Sequence, residues 1–258
     1  MKITADKILI LGDIHGDWRA LNTMINKKRP EVVICCGDFG YWPDLKTTKT
    51  YTKDGEFHVE YEPSFEMKKI KIGDTGARIF WCPGNHEQWW TLEKEYGRRG
   101  TEPIQMLKDN QDVFYCPIGS VLTLNGNRIL FVGGAESTDQ EYRTLGKNWF
   151  PEEVINLTDY HYILDNVKAP VDMVVSHTCP TGFPMAQVTG RWDKNGDPSR
   201  IALHHLLIDY KPTLWAMGHW HDYKRGNNYG CEWVCLDYPN HGKRWHIWLD
   251  TKNLQFVE

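Results

Sequence analysis

Nowhere in the 258 residues do about 18 apolar residues run together, so no helical membrane span and no membrane partner are expected. The chain has no CxxC pair, and its seven cysteines are an odd number. Both facts argue against a disulfide framework and point to a reducing, cytoplasmic setting. Cys231 and Cys235 lack a second pair at finger spacing and read as buried strand residues rather than zinc ligands. The opening MKITADKILILGD has an apolar run too short for a secretory signal, and an aspartate stands where a small-residue cleavage site would be needed. Repeats, low-complexity tracts and an obvious linker are also missing. A single domain over residues 1–258 is therefore expected, with excursions at 41–76 and 134–151. Neither sign of charge dominates: 34 acidic and 30 basic side chains leave a net charge of −4. That excludes nucleic-acid binding by overall charge and leaves local basic patches open.

What is present is ordinary globular material, 41% hydrophobic and 25% charged, in a chain long enough to bury a core. Five apolar runs read as strands: ILIL, EVVICC, ARIFWC, VDMVV and PTLWAM. Helical spacing appears at 18–28, with Trp18, Leu21, Met24 and Ile25 on one face, and again at 88–96, 158–167 and 200–210. Asn125-Gly126 between two apolar runs signals a hairpin, KDGE at 53–56 a second turn, and 231–250 two further strands. Alternating strands and helices predict an α/β fold, in which polar groups gather at the carboxyl ends of the strands.

Each of the five runs ends in polar residues. These are Asp13-Ile14-His15, Gly37-Asp38, Gly84-Asn85-His86-Glu87, Ser176-His177 and Gly218-His219-Trp220-His221. Aligned strands would bring two aspartates, an asparagine and five histidines to one sheet edge. Buried aspartates without partners are costly, and divalent cations remove that cost. Mixed oxygen and imidazole donors suit Mn, Fe, Zn or Co better than Ca or Mg. Seven ligands exceed the need of one tetrahedral ion, so two ions sharing a carboxylate are expected. The D-x-H and H-x-H spacings put alternate residues on one side of an extended segment.

In this order and context the motifs resemble those of the calcineurin-like metallophosphoesterase superfamily, and the resemblance spans residues 12 to 221. It implies two mixed β-sheets packed as a sandwich flanked by helices. It implies one metal on Asp13, His15 and His221, a second on Asn85, His177 and His219, and Asp38 bridging them. Manganese is the ion expected to support activity in vitro. The resemblance also implies attack by metal-activated water, with His86 placed at the leaving oxygen as a catalytic acid rather than as a ligand.

The chain departs from the protein serine/threonine phosphatase branch after Asp38. Where that branch continues with an Asp-Arg pair, this one reads Tyr41, Trp42 and Pro43. The loop at 134–151 offers replacements in Glu136, Asp139 and Arg143, and Arg191 is a second arginine candidate. Twelve tryptophans are the compositional outlier. Trp81 and Trp215 read as core. Trp18, Trp42, Trp89, Trp90 and Trp220 follow motifs, and Trp42 and Trp89 are the candidates for stacking on a substrate base, against the plainer role of packing loops. The expected substrate is a phosphate mono- or diester: a small molecule, a nucleotide or a nucleic-acid terminus. A protein phosphatase is the alternative within the enzymes, and a non-catalytic scaffold of the same fold the alternative outside them. The sequence leaves the oligomeric state open.

Overall fold

The computed structural model describes residues 1–43, 46–53, 56–63, 70–71, 74–105, 110–185 and 196–258. Among them, strands form two seven-stranded sheets and a separate two-stranded ribbon. The first sheet runs, in spatial order, Gln255–Val257, His246–Asp250, Ile8–Leu11, Val32–Cys35, Arg78–Trp81, Val113–Tyr115 and Ile104–Gln105. The second runs Lys2–Ile3, Ser120–Leu124, Asn127–Val132, Met173–Ser176, Leu214–Met217, Cys231–Cys235 and Lys224–Asn228. Both mix parallel and antiparallel neighbours, which is the expected architecture.

Side-chain alternation explains why the sheets stack. Ile8, Ile10, Val32, Ile34 and Phe80 of the first sheet meet Ile129, Phe131, Met173, Val175 and Ala216 of the second in one buried cluster. The intervening residues face outward under helices. Leu9, Leu11, Val33 and Trp81 pack beneath α1 (Trp18–Lys28) and α2 (Trp89–Tyr96), and Leu130, Val174 and Trp215 pack with α3 (Leu157–Asn166) and α4 (Pro198–Tyr210). A strand buried on both faces must be apolar throughout, which is why ILIL and VVIC carry no alternation.

Helix ends follow local chemistry. Asp17 caps α1 by accepting from Ala20 N, and the helix stops at Arg29 in the left-handed region just before Pro30. Asn156 and Asp159 form a reciprocal capping box on α3. The Asn125-Gly126 hairpin is present. The excursion after Tyr41 contains the ribbon of Lys46–Lys53 with Glu56–Pro63, while the two central residues of its turn lie outside the described residues. The strand Lys224–Asn228 escapes sequence reading because KRGNN has no apolar pattern. It exists through antiparallel pairing with Cys231–Cys235 across a turn in which Tyr229 and Gly230 both hold positive φ. Among the described residues no helix is long and apolar enough to cross a membrane.

Candidate metal centre

Register places the site. In the first sheet Leu11 is level with Cys35, and Cys35 with Trp81, so three parallel strands end together. Asp13, Asp38 and Asn85 follow these ends by two, three and four residues. In the second sheet Val175 is level with Ala216, and His177 and His219 follow those strands. The two sets of ends lie at the same edge of the sandwich.

One group gathers on Asp13. Its Oδ2 lies 3.2 Å from His221 Nε2 and 3.8 Å from His15 Nε2, and those two ring nitrogens are 3.3 Å apart. Ligand atoms of Asp13, His15, Asp38 and His221 all fall within 4.8 Å of one another. The other group gathers on the Asn85 amide oxygen, 3.0 Å from His177 Nε2 and 3.1 Å from His219 Nδ1. Asp38 stands between them: Oδ2 is 3.7 Å from His15 Nε2 and Oδ1 is 3.3 Å from His177 Nε2.

The donor set fits divalent cations. Asp13 and Asp38 are buried; each accepts a backbone N–H, from His219 and from His86, and the side-chain groups facing them are imidazole nitrogens. Two imidazole nitrogens converge on one carboxylate oxygen with nothing but lone pairs or protons to fill the gap. His177 donates Nδ1–H to Cys36 O at 2.9 Å, which fixes its tautomer and leaves Nε2 facing Asn85 and Asp38. Asn85 is oriented in turn: its Nδ2 donates to Ser137 Oγ, and Ser137 N donates to Glu153 Oε1. A Cβ on Gly218 would overlap Asp13 Oδ1 and one on Gly84 would overlap Asp38 Oδ1, so both carboxylates need glycine beside them. His15, Asp38, His219 and His221 all hold positive φ, a conformation that costs a non-glycine residue roughly 1–2 kcal/mol.

Electrostatics follow from burial and mutual contact. Burial pushes the Asp38 carboxyl up, but the imidazoles of His177, His86 and His15 outweigh it and hold it well below the usual carboxylate range. Burial pulls His177 down, but Asp38 and Asp13 overcome that and raise it to about 10. In metal-free protein a proton therefore occupies His177 Nε2 at neutral pH, and a cation must displace it. Apparent metal affinity is expected to rise with pH up to about 10, by about tenfold per unit for one proton. Calorimetric titration of Mn²⁺ in two buffers of different ionisation heat counts the protons released. One or more is expected, and none would remove His177 Nε2 from the ligand set.

His86 carries its side chain partly open to solvent, with Nε2 at 4.0 Å from Asp38 Oδ2. Burial, joined by the nearby Arg143 guanidinium, holds its pKa below the usual imidazole value against the pull of Asp38. Arg143 Nη2 lies 2.7 Å from His86 Nε2 and 3.0 Å from its Nδ1, and Asp139 anchors Arg143 Nε at 2.8 Å. The loop after Gly134 thus brings an arginine beside His86. Glu136 makes no hydrogen bond or ion pair to His86 among the described residues, and Arg191 lies outside them.

Most of the tryptophans that follow motifs take the plainer role of packing rather than lining a substrate cleft. Trp89 is fully buried and donates Nε1–H to Gly84 O, with Arg98 over its ring, so it cannot stack on a substrate base. Trp18 and Trp220 are buried as well. Trp90 is exposed and donates to Glu152. Trp42 is half-buried against Phe150 and donates to His86 O at 2.7 Å, which makes it a support for the His86 backbone.

Sequence reading missed the supporting groups. Buried Glu87 accepts from Gly40 N and Gly84 N, tying two motif loops together, and burial followed by repulsion from Asp38 raises its pKa to about 8. Buried Asp237 holds His241 Nδ1 at 2.9 Å. His241 stacks on Tyr238, whose ring meets His221 edge-on at 4.6 Å. A glutamate two residues past a ligand was a usable signal, because Glu87 belongs to the Gly-Asn-His-Glu motif. Nothing local marked Asp237.

Known proteins add the last observation. No curated protein matches the chain. Among solved structures, the phosphopantetheinyl hydrolase of Mycobacterium tuberculosis aligns over 96% of this chain and 98% of its own at 14% identity and a TM-score of 0.52. Protein TT1561 of Thermus thermophilus aligns over 98% and 97% at 12% identity and 0.52. At these identities the likeness is one of fold. A family profile matches residues 6–223, which carry every ligand candidate described above, and by that match the chain belongs to the calcineurin-like phosphoesterase family.

Proposed function

We propose that this chain is a metal-dependent phosphoesterase that hydrolyses phosphate mono- or diesters of small molecules, nucleotides or nucleic-acid termini. Family membership supports phosphoester hydrolysis in general, in a family that normally carries two divalent ions. The observation that carries the narrower reading is the convergence of seven ligand-type side chains from five strand ends, with His86 and Arg143 beside the shared Asp38.

The Asp13 and Asn85 groups would hold two cations, with manganese the ion to try first, and these would supply Lewis acidity and activation of water at neutral pH. The chain's own residues do the rest. Arg143, held by Asp139, presents its fork where a phosphate oxygen can be gripped. Without substrate, His86 is held neutral by burial and by Arg143; a phosphate anion gripped by Arg143 would raise the imidazole's proton affinity and let it protonate the departing oxygen. Trp42 holds the His86 carbonyl, and Asp38 holds its N–H, so the ring is placed from both sides of the peptide. Seven free, buried cysteines suit a reducing cytoplasm.

Hydrolysis of p-nitrophenyl phosphate and bis-p-nitrophenyl phosphate, side by side with Mn²⁺ and with chelator, tests the reading. Chelator-sensitive turnover is expected, and the faster substrate separates monoesterase from diesterase. A protein with no bound metal and no turnover on either compound would overturn the reading and favour a scaffold.

A further inference from the structure

Among the described residues, part of one sheet face lacks a covering helix. Along His246–Asp250, Ile247 and Leu249 enter the sandwich core, so His246, Trp248 and Asp250 project outward. The helix α1 covers the adjoining strands through Trp18, Leu21 and Ile25. A second stripe of α1, with Ala20, Met24 and Lys28 at helical spacing, faces the outward residues across a groove. Three depressions of about 690, 450 and 650 Å³ make up the groove. Lys28 borders all three, Trp248 two, and Trp245 and His246 two.

The groove has direction. Its upper end is Asp17, Pro239 and Asn240, and Asn240 donates to Asp17 at 3.0 Å. Pro239 and Asn240 directly follow Tyr238, whose ring packs edge-on against His221 and His15 of the metal centre. Its lower end is marked by Lys7 and Lys252.

It also has a charge opposite to that of the whole chain. Arg19, Lys7, Lys27, Lys28 and Lys252 border it with no carboxylate in ion-pair range among the described residues. Three of its four acidic residues are engaged. Glu258 pairs with Arg244 at 3.1 Å, Asp17 caps α1, and Asp250 accepts from the backbone of Lys252 and Asn253. Hydrogen bonding leaves Asp17 and Asp250 charged, so the five cations face Asp6, Asp17 and Asp250, and the lining is net positive beside two half-buried indoles, on a protein of net charge −4.

We propose that this groove binds single-stranded nucleic acid, with the phosphates along the lysines and the bases against Trp245 and Trp248. Only the further step, that a strand end is led to the metal centre, rests on the phosphoesterase reading. Unpaired bases offer π-faces to an indole, whereas a duplex hides them in its stack. Indoles recessed in a concave groove do not enter a bilayer, which sets a lipid surface aside.

The test uses the full chain, chelator to stop turnover, and fluorescein-labelled oligothymidylate of about 12 nucleotides. Saturable binding that weakens with salt and quenches tryptophan fluorescence is expected. The Lys27→Glu/Lys28→Glu/Lys252→Glu variant is expected to bind at least about tenfold more weakly and with a shallower salt dependence, because three of the five cationic contacts are reversed. Its Mn²⁺-dependent turnover of bis-p-nitrophenyl phosphate should match wild type. Trp248→Phe, which keeps the packing, should bind but lose part of the quench. Absent binding at low salt, unchanged binding by the triple variant, equal binding of duplex, or equal competition by phosphatidylserine vesicles would each overturn the groove. Turnover without oligonucleotide binding removes the groove and spares the phosphoesterase reading; binding without turnover on any ester does the reverse.

Discussion

Asp38→Asn is expected to abolish metal-dependent turnover, by a factor of at least about a thousand, or roughly 4 kcal/mol of barrier. Asp38 reaches both ligand groups through its two oxygens, Oδ2 at 3.7 Å from His15 Nε2 and Oδ1 at 3.3 Å from His177 Nε2. Asparagine keeps the volume and one oxygen but removes the charge that two cations would share. Bound metal measured by elemental analysis should fall from two equivalents to one or fewer. In the chelated protein the substitution also takes from His177 the carboxylate that chiefly holds its proton, so a lower melting temperature is expected. A thermal melt of the chelated protein checks that point separately. Wild-type turnover with two equivalents retained would refute Asp38 as the bridge.

His86→Asn should behave in the opposite manner with respect to metal. Its side chain belongs to neither ligand group, so both equivalents are expected to stay. Turnover of an alkyl phosphate should fall by about 10²–10⁴, the range for losing a positioned proton donor. Turnover of p-nitrophenyl phosphate should fall much less, since that leaving group departs without a proton. The contrast between the two esters is the reading that matters, because a general structural defect would depress both alike. Equal loss on both would reassign His86 to phosphate binding alongside Arg143, whose guanidinium it touches.

Most of the site was legible because its residues lie at strand ends, and strand ends can be read from short apolar runs. Asp13, Asp38, Asn85, His177 and His219 each follow such a run within four residues, and parallel register brings them level. The helices at 18–28 and 88–96 were readable for the same reason, through local spacing and caps. What escaped was decided by contacts between distant loops. Trp89 looks like a rim residue next to His86, but it is the first residue of its helix, and its indole turns inward onto Gly84 O. Arg143 was one of several charges in a polar loop until Asp139 and His86 fixed its place. Glu153, which holds Ser137 and through it Asn85, is separated from its beneficiary by 68 residues. No periodicity encodes that relation.

The left-handed ligand backbones have a use beyond chemistry. Ten non-glycine residues hold positive φ among the described residues, and most of the others have ordinary reasons. Arg29 and Lys211 end helices, and Asn125 and Tyr229 turn hairpins. His15, Asp38, His219 and His221 have no such local reason, and they converge from three separate loops. A main-chain trace alone, with every side chain erased, would therefore still point to this corner of the molecule as the place where the chain does its work. The same four positions mark a boundary for engineering. A stabilisation screen that swaps them for glycine would gain backbone comfort and lose the donors in the same stroke, so thermal gains there should come paired with loss of bound metal.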